Sequence, residues 1–213
     1  MKPLNKRLLV LYVFIARNII GLIFFVHYFP ASSFDIYVTH EIQEHTIVNS
    51  APVMKYISIF GNPVVAPLSV IFTSFFFFAT YNRRESYFIF TTLIGDLLNI
   101  LIKIMIGRPR PTLENAKLFL NFNQSSFPSG HVVHYVVFFG FLLTVMSVNK
   151  KITLFWRIFI GIFSTFLILT ISISRVYLGA HWATDVIGGY LFGFIYLGII
   201  LKFYLKDLKF KHP

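Results

Sequence analysis

Six stretches of mostly apolar residues, each about 20 residues long, limit this sequence to a membrane-spanning fold. They lie at 8–29, 63–81, 87–106, 131–148, 153–173 and 185–205. A helix needs about 20 such residues to cross the hydrocarbon core of a bilayer, where its backbone must satisfy its own hydrogen bonds. The pattern therefore predicts an all-α fold, a bundle of six transmembrane helices that forms one domain over residues 1–213.

The composition supports this prediction and excludes several other classes of protein. The chain is 56% hydrophobic and only 13% charged, whereas a soluble domain is about 25% charged. It contains no Cys, which excludes a disulfide framework, a Cys-ligated metal site and a thiol nucleophile. A water-soluble globule, a disordered chain and a disulfide-rich secreted module are therefore excluded.

The distribution of positive charge predicts the orientation of the bundle. The formal net charge is +11, but in a membrane protein the position of Lys and Arg matters more than their sum. Most of them fall at the chain ends and in the two short turns that six antiparallel helices place on one side, at Lys2, Lys6, Arg7, Arg83, Arg84, Lys150, Lys151, Lys206, Lys209 and Lys211. Because cytoplasmic loops are rich in these residues, we expect both termini to be cytoplasmic, and we expect no nucleic-acid partner.

The longer connections then lie on the outer face, at 30–62, 107–130 and 174–184, and they hold most of the Pro, Gly, His and carboxylate residues. We therefore expect function on that face. The connector 30–62 is predicted to form one or two amphipathic helices along the membrane surface, with apolar positions at Ile36, Val38, Ile42, Ile47 and Val48. The sequence leaves open whether this connector only covers the bundle or gates access to a substrate.

Three clusters of polar residues fall at the predicted outer ends of helices. They are, in chain order, Lys103 with Arg110-Pro111, Pro128-Ser129-Gly130-His131, and Ser174-Arg175 with His181 and Asp185. Such residues are rare in a membrane unless they serve a function. The cations Lys103, Arg110 and Arg175 suit phosphate oxygens, and the start of the fourth helix offers free amides and a positive dipole end. The clusters together predict a pocket for a phosphate group.

Two histidines and one carboxylate give this pocket the means for phosphoryl transfer. His181 and Asp185 are four residues apart, so on one helical face Asp185 can accept the proton on one imidazole nitrogen. The other nitrogen is then free to attack phosphorus and to form a phosphohistidine. His131 is the remaining candidate for the general acid. No metal-ligand pattern is evident in the sequence, and we expect neither a metal nor a cofactor.

In this order, the three clusters resemble the three-part signature of the type 2 phosphatidic acid phosphatase (PAP2) family. The resemblance implies a metal-independent lipid phosphatase with six membrane helices, whose motif-bearing core is 103–185. It implies that His181 is the nucleophile, that Asp185 orients it and that His131 protonates the leaving group. It also assigns phosphate binding to Lys103, Arg110, Ser129, Gly130 and Arg175.

The expected activity is hydrolysis of a phosphomonoester or diphosphate of a membrane lipid. Undecaprenyl diphosphate is placed first and phosphatidylglycerophosphate second, with phosphatidic acid and lipid A phosphates as further candidates, because the short connection 112–127 leaves little material for an elaborate headgroup site. Two alternatives stay open, a lipid phosphotransferase that uses the same phosphohistidine and a non-enzymatic phosphate-lipid transporter. The composition fits a bacterial cytoplasmic membrane, with the site facing the periplasm or exterior.

Several charged residues outside the core motif positions carry separate expectations. Arg17 and Asp96 lie at similar predicted depths and are expected to pair inside the bundle, since unpaired charges there are unfavourable. His134 is expected to lie in the core or at the lipid boundary. Arg108 is interpreted either as a substrate contact or as a solvated outer charge.

Overall fold

The computed structural model describes residues 6–47, 50–80, 83–120 and 124–211, and every regular element in these ranges is helical. The predicted all-α class is therefore confirmed. The α-helices are α1 Lys6–Tyr28, α2 Ser33–His45, α3 Ala51–Ile57, α4 Val65–Ala79, α5 Arg83–Ile106, α6 Gly130–His134, α7 Gly140–Val148, α8 Leu154–Tyr177 and α9 Ala183–Lys211. A 3-10 turn, Ile59–Gly61, follows α3, and a π-helical turn, Tyr135–Phe139, joins α6 to α7.

Four helical segments of the described chain are long and apolar enough to cross a membrane: 83–106, 130–148, 154–177 and 183–206. Two other predicted spans differ from expectation. The first forms α1, which is long and apolar enough for a span only when α2 is counted with it. A bend of 91° separates these two helices. The second, α4, has 15 residues, or about 22 Å at 1.5 Å per residue. The count is thus four, or up to five if the bent pair is one span, and six spans stay a prediction.

The segment Gly130–Val148 lies at the centre of the bundle. Its side chains are mostly buried, in contrast to those of the other three spans, and they form much of the hydrophobic core. Helix α9 approaches it closely at Gly189 and Gly193, where an added Cβ would lie 2.8 Å from Val132 and Val136 respectively. Small residues of this kind let membrane helices pack at short range. The start of α6 is thereby held beside the start of α9.

The connector 30–62 folds as α2, α3 and the 3-10 turn, but α2 faces the opposite way from the expected arrangement. Its buried positions are polar, Asp35, Thr39 and Gln43, whereas Phe34 and Tyr37 are exposed. The polar stripe turns inward because it finds partners there: Gln43 donates to the backbone carbonyls of Lys117 at 2.8 Å and Tyr177 at 2.9 Å. The predicted apolar positions Ile36, Val38 and Ile42 are half-buried, Ile47 is exposed, and Val48 lies outside the described residues.

The expected pairing of Arg17 with Asp96 is wrong. Asp96 instead meets His134, with 2.9 Å between its Oδ2 and the imidazole Nδ1. Arg17 is exposed, and its guanidinium lies over the ring of Phe14. The physical reason is the packing of α1, which lies against α9, so that equal depth does not bring the two charges together. His134 is buried in the core, in agreement with one of the two environments expected for it.

Candidate active site

One end of the bundle collects the residues that the sequence analysis selected. The end of α5 brings Lys103, the start of α6 brings Gly130 and His131, and the end of α8 brings Arg175. His181 lies in the turn just before α9, and Asp185 lies in the first turn of that helix. Since α5 and α8 run toward this end while α6 and α9 run away from it, the order of the helices alone gathers the three clusters. They are also joined directly, because the backbone N–H of Ser129 donates to the carbonyl of Asp185 at 3.0 Å.

His181 and Asp185 form the pair that was expected from their spacing. The distance between His181 Nδ1 and Asp185 Oδ2 is 3.5 Å, and both side chains are almost fully buried. This distance is long for a hydrogen bond, as is common in catalytic sites without substrate. Asp185 Oδ2 also accepts from the Ser126 hydroxyl and from the backbone N–H of Trp182 at 2.8 Å. The carboxylate is thus fixed on the Nδ1 side, and Nε2 is the nitrogen left for chemistry.

Three cations, Lys103, Arg110 and Arg175, lie close enough to His181 to interact with it electrostatically. Arg110 Nη1 lies 3.4 Å from His181 Nε2 and donates to the carbonyl of Ala180 at 2.5 Å. Lys103 Nζ donates to the carbonyls of Ser125 and Ser126 at 2.9 and 3.0 Å. Neighbouring carbonyls thus hold both long side chains in place. Because these cations are already positioned, they lose little freedom when an anion binds between them.

Arg175 is the third cation, and it is almost completely buried. Its Nη1 donates to the hydroxyl of Ser58 at 3.1 Å. Ser129, at the N-cap position of α6, has a buried hydroxyl with no hydrogen-bond partner among the described residues. Gly130 lies beside Lys103, since a Cβ added to Gly130 would be 3.8 Å from the Lys103 Cε. All five predicted phosphate-binding residues therefore lie at the same end of the bundle.

The electrostatics of the site favour a neutral imidazole at His181. Burial, followed by the charges of Lys103, Arg110 and Arg175, holds the pKa of His181 well below 6.5. An uncharged imidazole has the lone pair that attack requires. Burial lowers the pKa of Arg110 to about 10, partly offset by Asp185, so Arg110 keeps its charge at neutral pH.

His131 lies close enough to Arg175, His181 and Arg110 to interact with them electrostatically. Its imidazole packs against the 3-10 turn Ile59–Gly61, and a Cβ at Gly61 would overlap the ring. The connector therefore contributes one wall of the position that His131 occupies. This contact was not predicted, since an isolated Gly in a polar loop gives no signal of what packs on it.

Arg108 is the main residue of this site that sequence reasoning misplaced. It neither points into the pocket nor lies in solvent: its guanidinium is fully buried between Asp185 and Asp35, at 2.6 Å from Oδ1 of the first and 2.7 Å from Oδ2 of the second. Both earlier interpretations are wrong because the two carboxylates compensate its charge. One signal in the sequence could have indicated this environment. An Arg beside a buried motif requires an acidic partner that compensates its charge.

The site offers anionic groups a cationic pocket and offers metals no obvious ligand set. Within the described part of the chain, no group of three or more His, Asp or Glu side chains is arranged to hold a metal ion. A phosphoryl transition state needs positive charge of the kind that Lys103, Arg110 and Arg175 carry. The arrangement can bind a phosphate, attack it through His181 and deliver a proton from His131.

The chain is similar in sequence to known proteins. A profile of the PAP2 superfamily matches residues 84–209. Phosphatidylglycerophosphatase B of Bacillus subtilis (strain 168) is 32% identical over 154 residues, which cover 68% of this chain and 70% of that protein.

Two solved structures share the fold. The crystal structure of a transmembrane PAP2-type phosphatidylglycerolphosphate phosphatase from Bacillus subtilis has a TM-score of 0.73 at 22% identity, covering 92% of this chain and 96% of that one. The structure of LpxE from Aquifex aeolicus has a TM-score of 0.61 at 23% identity, covering 81% and 97%. At these identities the two structures establish the fold alone.

Proposed function

Because the chain belongs to the PAP2 superfamily and is a phosphatase of that type, we propose that it removes phosphate from a membrane lipid through a phosphohistidine at His181. The observation that carries the proposal is the Nε2 atom of His181, 3.4 Å from Arg110 Nη1, with Asp185 on the opposite side of the ring. A transporter would need the cations but not this oriented imidazole.

The first step transfers the phosphoryl group to the protein. A bond forms between His181 Nε2 and phosphorus while the bond from phosphorus to the lipid oxygen breaks. His131 gives its proton to that oxygen, and Asp185 stabilises the positive charge that develops on the His181 ring. Lys103, Arg110 and Arg175 stabilise the negative charge on the phosphoryl oxygens.

The second step returns the site to its starting state. Water attacks phosphorus and gives a proton to His131, which is now the base. The bond between phosphorus and Nε2 breaks, inorganic phosphate leaves, and His181 regains its neutral imidazole. Both steps use the same cations, so one pocket serves formation and hydrolysis of the intermediate.

Phosphatidylglycerophosphate is the substrate that we propose first, ahead of undecaprenyl diphosphate, which the sequence had placed first. The name of the Bacillus subtilis relative supports this order. We further propose that residues 1–213 form one domain with six spans and cytoplasmic termini. The site would then face the outside of a bacterial cytoplasmic membrane, as the distribution of Lys and Arg suggests.

The test is release of inorganic phosphate by purified protein in detergent. The lipids are phosphatidylglycerophosphate, undecaprenyl diphosphate, phosphatidic acid and lipid A, with and without an acceptor lipid that would reveal phosphotransfer. We expect release from phosphatidylglycerophosphate that His181→Ala abolishes. His45→Ala is the matched control, because His45 is exposed on α2 and should leave the rate unchanged. Folded wild-type protein that acts on none of these lipids would contradict the proposal.

A further inference from the structure

Arg108 links two buried carboxylates that lie far apart in the sequence. Its Nη1 donates to Asp185 Oδ1 at 2.6 Å, and its Nη2 donates to Asp35 Oδ2 at 2.7 Å. All three side chains are fully buried at these contacts. The charges alternate in sign from α2 to α9, ending at the carboxylate that faces His181.

All three nitrogens of the Arg108 guanidinium donate to groups inside the protein. In addition to the two carboxylates, Nε donates to the carbonyl of Pro30 at 3.1 Å, and Nη1 donates to the hydroxyl of Thr184 at 2.7 Å. A guanidinium whose fork is occupied in this way cannot also grip a substrate phosphate. Arg110, by contrast, presents Nη1 toward His181. Arg108 therefore holds two carboxylates inside the protein, whereas Arg110, two residues later, faces His181.

Asp35 is equally well held. Its Oδ1 accepts from the backbone N–H and the hydroxyl of Thr184, each at 2.9 Å, and its Oδ2 accepts from the hydroxyl of Ser32 at 2.8 Å. Thr184 is the residue directly before Asp185 in the first turn of α9. The Asp35 side chain thus contacts the start of α9 directly, at the backbone N–H and hydroxyl of Thr184, and indirectly, through Arg108.

We propose that Arg108 and Asp35 are positioning residues of the catalytic machinery, which hold Asp185 charged and aimed at His181 Nδ1. Arg108 supplies the positive charge that keeps a buried carboxylate ionised. Asp35 shares the positive charge of Arg108 and orients its guanidinium. Arg108 can then align Asp185 while the negative charge of Asp185 still acts on His181. This inference rests on the proposed function, because it assigns a role in the attack by His181.

A positioning role predicts a specific division of the kinetic effect. The phosphate pocket is built from other residues, so substrate binding should survive the loss of Asp35, while the orientation of His181 should not. Asp35→Asn keeps the size of the side chain and removes its charge. We expect kcat to fall about 10- to 100-fold, in the range typical of groups that orient a ligand or base from behind. KM should change by less than about twofold, since binding of the substrate in its ground state does not depend on an interaction made only in the transition state.

Arg108→Lys tests the fork separately from the charge. Lysine carries the same charge at a single point and cannot hold two carboxylates in a bidentate arrangement, so kcat should fall in Arg108→Lys as well. Thr184→Val, which leaves both charges in place, should give a smaller drop of the same kind. Glu44→Gln is the matched control, because Glu44 is exposed on the same helix as Asp35 and should behave as wild type.

The decisive comparison is the double variant Asp35→Asn with Asp185→Asn. If Asp35 acts through Asp185, adding Asp35→Asn to the Asp185→Asn protein should change the residual kcat by less than about twofold, since groups that act as a unit are not additive. Independent losses that multiply would overturn the proposal. So would an Asp35→Asn protein with wild-type kcat, or one in which only KM rises.

The outcomes separate this inference from the proposed function. Wild-type protein that hydrolyses no lipid would contradict the function itself. An active wild type whose kcat is insensitive to both Asp35→Asn and Arg108→Lys would refute only the positioning role. If Asp35→Asn does not fold, Arg108→Lys and Thr184→Val carry the same test, with thermal unfolding as the check on each variant.

Discussion

Substitution of Gly61 by Ala should impair proton delivery by His131 and leave the nucleophile intact. The added Cβ would lie only 2.5 Å from the His131 Cγ. Carbon atoms pack at about 3.5 Å or more, so the ring must move by about 1 Å. The backbone of Gly61 is not in the left-handed region, and the substitution therefore acts through this contact and not through backbone strain.

The expected loss follows from that displacement. A 1 Å misplacement of a catalytic group can lower a rate about 100-fold, which is within the range of about 100- to 10,000-fold that general acid catalysis supplies. We therefore expect kcat of Gly61→Ala to fall about 100-fold on a lipid phosphomonoester, whose alkoxide leaving group needs a proton. p-Nitrophenyl phosphate releases a stable phenolate and should be affected much less.

The assay compares both substrates in wild type, Gly61→Ala and Gly21→Ala. Gly21 has open space around it, with no atom within 4 Å of an added Cβ, so Gly21→Ala controls for the change of Gly to Ala. An equal loss on both substrates would refute the reasoning, because it would indicate damage to the pocket or to His181. Unchanged rates on both would show that His131 does not act where it lies.

Two further predictions follow from the geometry and the electrostatics. Because the pKa of His181 is held well below 6.5 by burial and nearby cations, activity should persist as the pH falls through 6.5. Arg110→Gln removes one of those cations, raises the pKa of His181 and should move the acid loss of kcat/KM to higher pH; an unmoved profile would count against this. Gly193→Val would place a Cβ 2.8 Å from Val136 and should destabilise the fold by about 1–3 kcal/mol through overpacking. A lowered thermal midpoint checks it, with Gly161→Ala, where the new methyl meets only ordinary contacts, as the unaffected control.

The sequence was sufficient to select the motif residues for a physical reason. Each cluster lies at a helix end, and alternating helix directions bring alternate ends to the same side of a bundle. It could therefore be predicted, without knowledge of the packing, that four of these residues meet: Lys103, His131, Arg175 and Asp185. His181 and Asp185 needed only the four-residue spacing that places side chains on one face.

The expectations that failed depended on rotation and contact between helices. Arg17 and Asp96 were matched by depth, but which side of α1 faces α5 cannot be read from depth, and Asp96 meets His134 instead. Helix α2 was oriented by its apolar residues, whereas its inward face is set by Asp35 and other polar side chains that find partners more than 70 residues away. The four-residue spacing of these polar side chains marks one face of α2, but it does not tell which way that face turns or which distant residues are its partners.

The connector 30–62 is the part of the chain where these unpredicted contacts converge. Asp35 reaches Asp185 through Arg108, Ser58 accepts from Arg175, and Gly61 packs on the His131 ring. A gate that opened here would separate Asp35 from Arg108, Ser58 from Arg175 and Gly61 from the ring of His131 at the same time. Of the two roles that the sequence left open for the connector, these contacts favour a cover over a gate.

The motif residues and the connector residues that contact them lie in different parts of the chain, which matters when members of the family are compared. The superfamily profile matches 84–209, a range that contains every motif residue but none of the three connector residues. The residues proposed to carry out the reaction lie within the matched range, whereas some of the residues that position them lie outside it. Two chains with identical motifs can therefore differ in rate through a helix such as α2, because the carboxylate behind the nucleophile is held from there and a shift of about 1 Å is enough to matter.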